Sequence, residues 1–309
     1  MRHLVFAAVC WVYLFSASLS ATNVFWRAQA PAVDETASSD SALELPLPKV
    51  PMTLRDVSER ADYIINHFWD AMDFGDTARS RNTAFMEQNF SNFISVFPFA
   101  SEPAQQTAVG ALLHKAEADS AAYVLLAGIA EKYLYEPNSP MLSEDYYILF
   151  LDRLVNSPIL NSGSARRLRW QLEAANKNRP GMTAADFSYV TRDGSQGTLH
   201  GMRHGGDLLL IFYDPDCEHC KETMDRLQHD DRLGQMVADG TLAVLAIYSG
   251  DDHDLWVKTA SSLPEGWTVG YEPGTMQEDG SYVLRAMPTL YLLDSSKKVL
   301  QKDLRLESR

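Results

Sequence analysis

Cysteine is scarce in this chain: three residues in 309, at positions 10, 217 and 220. That number excludes a small scaffold held by many bridges. Positive charge is also in short supply, with 27 Lys and Arg against 41 Asp and Glu and a net charge of -14. Nucleic-acid binding needs cations to neutralise phosphates, so this balance argues against it. A second cysteine pair is missing as well. His200, His204, His219 and His229 do not stand at the spacing that would complete a zinc site with Cys217 and Cys220. No metal and no cofactor is therefore expected. What remains is ordinary globular material, 46% hydrophobic and 22% charged, long enough for about two domains.

The N-terminus is patterned. Met1-Arg2-His3 is basic, Leu4 to Leu19 is apolar, and small residues fill Ser16 to Ala21. This is the layout of a secretory signal peptide over 1–21. The run is near the length of a membrane span, so the other reading is an uncleaved anchor that would tether the protein to the membrane. Either way the chain is expected to be periplasmic or otherwise extracytoplasmic, in a bacterial envelope. Cleavage removes Cys10 and leaves Cys217 and Cys220 alone in an oxidising compartment. A bridge between residues three positions apart closes a very small ring and constrains the unfolded chain little. Such a pair is a poor staple and a good redox switch.

Residues 22–50, rich in Ala, Ser, Asp, Glu and Pro, read as a flexible tether. From 51 to 177 the apolar period is helical. Val57, Ala61, Ile64, Ile65, Phe68 and Met72 fall on one face, and Thr53 with Asp56 marks a helix start. Further helices are predicted near 79–96, 103–118, 120–135, 143–156 and 161–177, with Ser143 as an N-cap. The aromatics from Phe68 to Tyr147 are expected to form core. Arg166, Arg167 and Arg169 are expected on a solvated last turn.

Asn176 to Gly181 gathers Asn, Pro and Gly and marks a boundary, after which 182–309 reads as α/β. Strands are predicted at Phe187–Val190, Leu208–Tyr213 and Leu242–Tyr248. A helix is expected near 252–261, and a hairpin pairs Thr289–Leu293 with Val299–Leu304. The unbroken apolar runs at 208–213 and 242–248, joined through a helix, imply a parallel pair covered on both faces. Between them lies Asp214-Pro215-Asp216-Cys217-Glu218-His219-Cys220, where a strand ends and a helix opens. Helix N–H groups there favour a thiolate at the first sulfur, which makes Cys217 the attacking residue. Cys220, one turn further in, is placed to resolve a mixed disulfide, so a Cys217–Cys220 disulfide is the oxidised form. Glu218 and His219 between them are expected to tune the couple.

From about Asp186 to Leu304 the sequence resembles the TlpA/ResA-like branch of the thioredoxin superfamily. The matching pieces are Leu208–Cys220, the strand near Val244, and Arg285-Ala286-Met287-Pro288-Thr289-Leu290-Tyr291-Leu292-Leu293-Asp294. The resemblance implies a thioredoxin-like fold after a separate all-α domain. It also implies a cis Pro288 facing the sulfurs and a Met287 whose backbone pairs with substrate. Two features depart from thioredoxins: Ile211 stands where many carry a buried acid, and Asp216 where an aromatic often precedes the first cysteine. Residues 60–70 and 73–77 resemble an exported bacterial domain of unknown function, which supplies an architecture and no activity.

Together these readings give an exported thiol–disulfide oxidoreductase. Its partners would be extracytoplasmic protein thiols and disulfides and an unidentified electron-transfer partner. The alternative is a non-enzymatic adaptor with a structural disulfide. Peroxidase chemistry is disfavoured because Asp214 replaces the Thr or Ser that peroxiredoxins place three residues before their cysteine.

Overall fold

Short polar residues set the helical region. The computed structural model describes residues 44–304; the expected leader, Cys10 and residues 22–43 of the expected tether lie outside the described residues. Residues 45–50 have neither helix nor strand, yet Leu45 is buried and its N–H donates to Asn89 Oδ1 at 2.8 Å. Seven helices follow: α1 (Val57–His67), α2 (Thr77–Ser80), α3 (Thr83–Ser95), α4 (Glu102–Ala116), α5 (Ser120–Leu134), α6 (Glu144–Leu154) and α7 (Ser162–Ala175). Each opens on an Asp, Asn or Ser whose side chain accepts a first-turn N–H, the most favourable chemistry for an N-cap. Asp56 caps α1, with Oδ1 2.8 Å from Ser58 N. The helix expected over 79–96 is two helices, because Asn82 caps a new start at 2.9 Å from the N–H that Met86 gives to its carbonyl and 3.1 Å from Phe85 N through its side chain.

Phe68, Trp69, Phe74, Phe85, Phe90, Phe93, Phe97 and Tyr147 are buried in one core with Leu112, Leu126 and Phe150. Phe99 is the exception among the aromatics expected inside, at 59% exposed. The arginines are exposed, as expected, but not on a last turn. Arg166, Arg167 and Arg169 sit in mid-α7, where Arg167 pairs with Glu131 and Arg169 donates to the Val155 carbonyl.

The second region is a seven-stranded mixed sheet in the order β2-β1-β5-β4-β3-β6-β7. Its strands are β1 (Ser188–Thr191), β2 (Gln196–Thr198), β3 (Asp207–Tyr213), β4 (Leu242–Ser249), β5 (Thr268–Glu272), β6 (Thr289–Leu293) and β7 (Val299–Gln301). Its helices are α8 (Glu218–Gln228), α9 (Asp231–Ala238), α10 (His253–Thr259) and α11 (Thr275–Glu278). β3 pairs in parallel with β4, as two unbroken apolar runs require, and antiparallel with β6. Alternation along β3 then feeds two cores. Leu209, Ile211 and Tyr213 pack with Cys220, Met224 and Leu227 of α8 and with Trp256. Leu208, Leu210 and Phe212 pack with Phe187, Tyr189, Tyr282 and Tyr291. Sheet and helical region meet through hydrogen bonds. Asn178, 5% exposed and at φ 50°, donates to the Ser281 carbonyl at 2.9 Å and accepts the Ala185 N–H at 2.9 Å. Among the described residues no helix is long and apolar enough to cross a membrane.

Candidate active site

β3 delivers the chain to the site and α8 carries it away. At the end of β3, Asp214 Oδ1 accepts the Asp216 N–H at 2.8 Å, which turns the backbone toward the helix. Cys217 is itself the N-cap of α8: its Sγ accepts the N–H of Cys220 at 3.4 Å. A cysteine thus occupies the position where α8 presents its unpaired amide groups. Cys220 lies one turn inside, 1% exposed, and its Sγ accepts the Asp214 N–H at 3.4 Å. Both cysteines are free thiols here, Cys217 half-buried and Cys220 buried.

The far wall of the site is the start of β6. The Met287–Pro288 peptide bond is cis, and the Met287 carbonyl accepts from Cys217 Sγ at 3.7 Å. Residues 70 positions apart therefore meet at one sulfur. Burial pushes the Cys220 thiol up to about 12, with the Cys217 thiol adding to the rise and the Asp214 N–H opposing it. Ile211, in the same core beneath Cys220, is fully buried and supplies no proton acceptor.

Of the residues singled out from the sequence, Cys217, Cys220, Met287 and Pro288 come together. Glu218 is 3.8 Å from Lys221 and His219 is 3.7 Å from Glu222, all with side chains more than half exposed, and His219 also lines the cavity beside Met287 and Pro288. Asp214, whose N–H holds the inner sulfur, entered the sequence reading only as the residue that disfavours peroxidase chemistry, and Arg285, its side chain 13% exposed beside the Met287 segment, received no individual role there. Both lie in motifs singled out above; Asp214 meets Cys220 six positions on, whereas the partners of Arg285 in the helical region are set by tertiary contact.

Two cavities flank α8. One, of about 380 Å³, opens beside Met287 and Pro288 and is bounded by His219 and Thr223 on one side and Pro137 and Leu142 on the other. The second, of about 540 Å³, runs past Tyr213, Pro215, Cys220 and Met224. The arrangement can do nucleophilic sulfur chemistry: one accessible thiol, one buried thiol behind it, and an exposed backbone edge opposite.

Residues 20–178 match a family described as Domain of unknown function (DUF5106). A thioredoxin-like protein from Bacteroides caccae is 33% identical in sequence, with a TM-score of 0.79 covering 84% of this chain and 94% of that one. A conserved protein of unknown function from Bacteroides fragilis is 38% identical over 41% of this chain and 93% of its own, with a TM-score of 0.40. The thioredoxin domain of a thiol-disulfide oxidoreductase from Bacteroides vulgatus is 20% identical over 41% of this chain and 89% of its own, at a TM-score of 0.36. No curated protein matches the chain.

Proposed function

The chain belongs to the DUF5106 family and to the thioredoxin-like proteins, and we propose that it is an exported thiol–disulfide oxidoreductase in which Cys217 attacks and Cys220 resolves. The observation that carries the reading is the placement of Cys217 Sγ at the N-cap of α8 and 3.7 Å from the Met287 carbonyl, with Cys220 buried behind it.

In the reducing direction the Cys217 thiolate attacks one sulfur of a substrate disulfide. The substrate S–S bond breaks, its far sulfur leaves as a thiolate and takes a proton, and a Cys217–substrate disulfide forms. The Cys220 thiolate then attacks Cys217 Sγ, releases the second substrate thiolate and closes the Cys217–Cys220 disulfide. Two electrons pass to the substrate, so a dithiol donor must return the protein to its reduced form. Run backwards, the same steps oxidise a substrate dithiol. The TlpA/ResA-like branch is supported by the strand–CxxC–helix unit and the Met287–Pro288 segment. The basic, apolar and small-residue pattern of 1–21 supports export to an extracytoplasmic compartment.

The test is reduction of insulin disulfides with dithiothreitol as electron donor. Cys217→Ser abolishes turnover, and pre-reduced Cys220→Ser, freed of dithiothreitol and mixed with insulin, accumulates mixed disulfides that survive non-reducing electrophoresis. Wild-type turnover no faster than dithiothreitol alone, or both variants at full activity, turns the assignment toward an adaptor.

A further inference from the structure

Nothing in thiol exchange requires a helical neighbour, yet two residues before Met287 the chain commits an arginine to one. The Arg285 guanidinium lies over the Tyr135 ring, with Cζ 4.0 Å from the centroid. Nη1 donates to the Tyr135 carbonyl, and Nη2 donates to Glu144 Oε1 at 2.8 Å and to Asp303 Oδ2 at 3.1 Å. The other Glu144 oxygen takes Lys302 Nζ at 2.6 Å, and that nitrogen also donates to the Lys177 carbonyl at 2.9 Å. The side chains of Arg285, Glu144 and Lys302 are only 10–13% exposed. Tyr135 and Glu144 belong to the helical core region, at the end of α5 and the first residue of α6. A planar guanidinium fixed by stacking and by three acceptors has little freedom left.

That immobility is passed to the reacting edge. Arg285 and Met287 are two positions apart, at most about 7 Å of chain, and the Met287 carbonyl is the group against Cys217 Sγ. The stretch between Tyr135 and Glu144 has a second role. Its Pro137 and Leu142 line the 380 Å³ cavity together with Thr223 of α8 and Met287. The cavity begins beside the Met287–Pro288 edge, where the neighbour of a substrate cysteine would emerge.

We propose that Arg285 and Glu144 are positioning residues of the exchange site, through which the helical region holds the Met287–Pro288 edge for an extended polypeptide disulfide. The substrate class is then a polypeptide and not a small disulfide, because only a polypeptide has a backbone to lay along that edge and a side chain to enter the cavity beside it. This rests on the disulfide-exchange reading above.

The experiment compares wild type, Arg285→Ala, Arg285→Lys and Glu144→Gln with two substrates, insulin and 5,5′-dithiobis(2-nitrobenzoate), and records thermal unfolding for each. The small disulfide reads the Cys217 thiol alone; insulin reads the edge as well. Arg285→Ala and Glu144→Gln are expected to raise the insulin KM about tenfold with kcat nearly unchanged, the signature of lost binding. The rate with the small disulfide stays near wild type, and Arg285→Lys recovers part of the loss. Equal insulin KM in all four proteins overturns the proposal. So does a fall in both substrates that follows loss of Tm, which marks a structural role only. Should Arg285→Ala fail to fold, Arg285→Lys and Glu144→Gln carry the same comparison. A wild type inactive on insulin fails the exchange reading itself and is seen before any variant is read.

Discussion

Cys220 is the residue where burial and chemistry oppose each other. At 1% exposure its thiol is pushed up to about 12, burial being the main cause, so at neutral pH it holds its proton. Resolution of a mixed disulfide needs the thiolate, whose share below that value grows about tenfold with each pH unit. The lifetime of a mixed disulfide on Cys217, followed by mass spectrometry after acid quench, is therefore expected to shorten steeply from pH 6 to pH 9. A flat profile would mean that a local group takes the proton. Ile211, fully buried in the same core, makes no such offer. The same asymmetry separates the two thiols toward alkylation. In the reduced protein iodoacetamide should label Cys217 at neutral pH and leave Cys220 untouched until the fold is opened, as peptide mapping would show. The sulfurs were legible from residues alone, since two cysteines three apart between an apolar strand and a helix leave few readings. Arg285 was not, because its partners Tyr135 and Glu144 stand 150 and 141 positions away.

At the scale of elements, most helices of the 51–177 region were readable from apolar period and start signals, the break at Asn82 excepted. Ser143 is the clearest case: its Oγ accepts the Tyr146 N–H at 3.3 Å, and α6 then opens on Glu144, the partner of Arg285. Ser143→Ala is expected to cost about 1 kcal/mol, visible as a midpoint shift in chemical unfolding. It should also raise the insulin KM modestly, by loosening the turn that carries Glu144. β5 escaped the sequence reading for a physical reason. Its five residues include Gly270, where a Cβ would come within 2.8 Å of Ile247 and Tyr189, so close packing there requires the residue that weakens a strand pattern. α9 was missed because Gly234 interrupts it and none of its residues is fully buried. Its partly buried Leu233, Met236 and Val237 still pack against the core at helical spacing, so the stripe is there but short and incompletely covered.

For the molecule as a whole, the stretch that composition marks as a boundary is tied down on both sides. Lys177 Nζ donates to the Gly280 carbonyl, Asn178 is buried, and Arg179 pairs with Asp145 at 2.7 Å. Under native conditions trypsin is expected to spare the Lys177–Asn178 bond while it cuts at exposed lysines such as Lys221. Rapid release of an intact fragment beginning at Asn178 would show instead that the two regions separate easily. The helical residues and the sheet residues keep separate hydrophobic cores, so most of what joins them is polar and directional.

A polar seam of this kind has a consequence for inheritance. A carboxylate at 144 and a guanidinium at 285, 141 positions apart, meet in one ion pair of that seam. Relatives that alter one are expected to alter the other, which an alignment of the family would check. A chimera joining this helical half to a foreign redox half would then be sound in each part and mismatched at the junction, competent toward small thiols and blind to its clients.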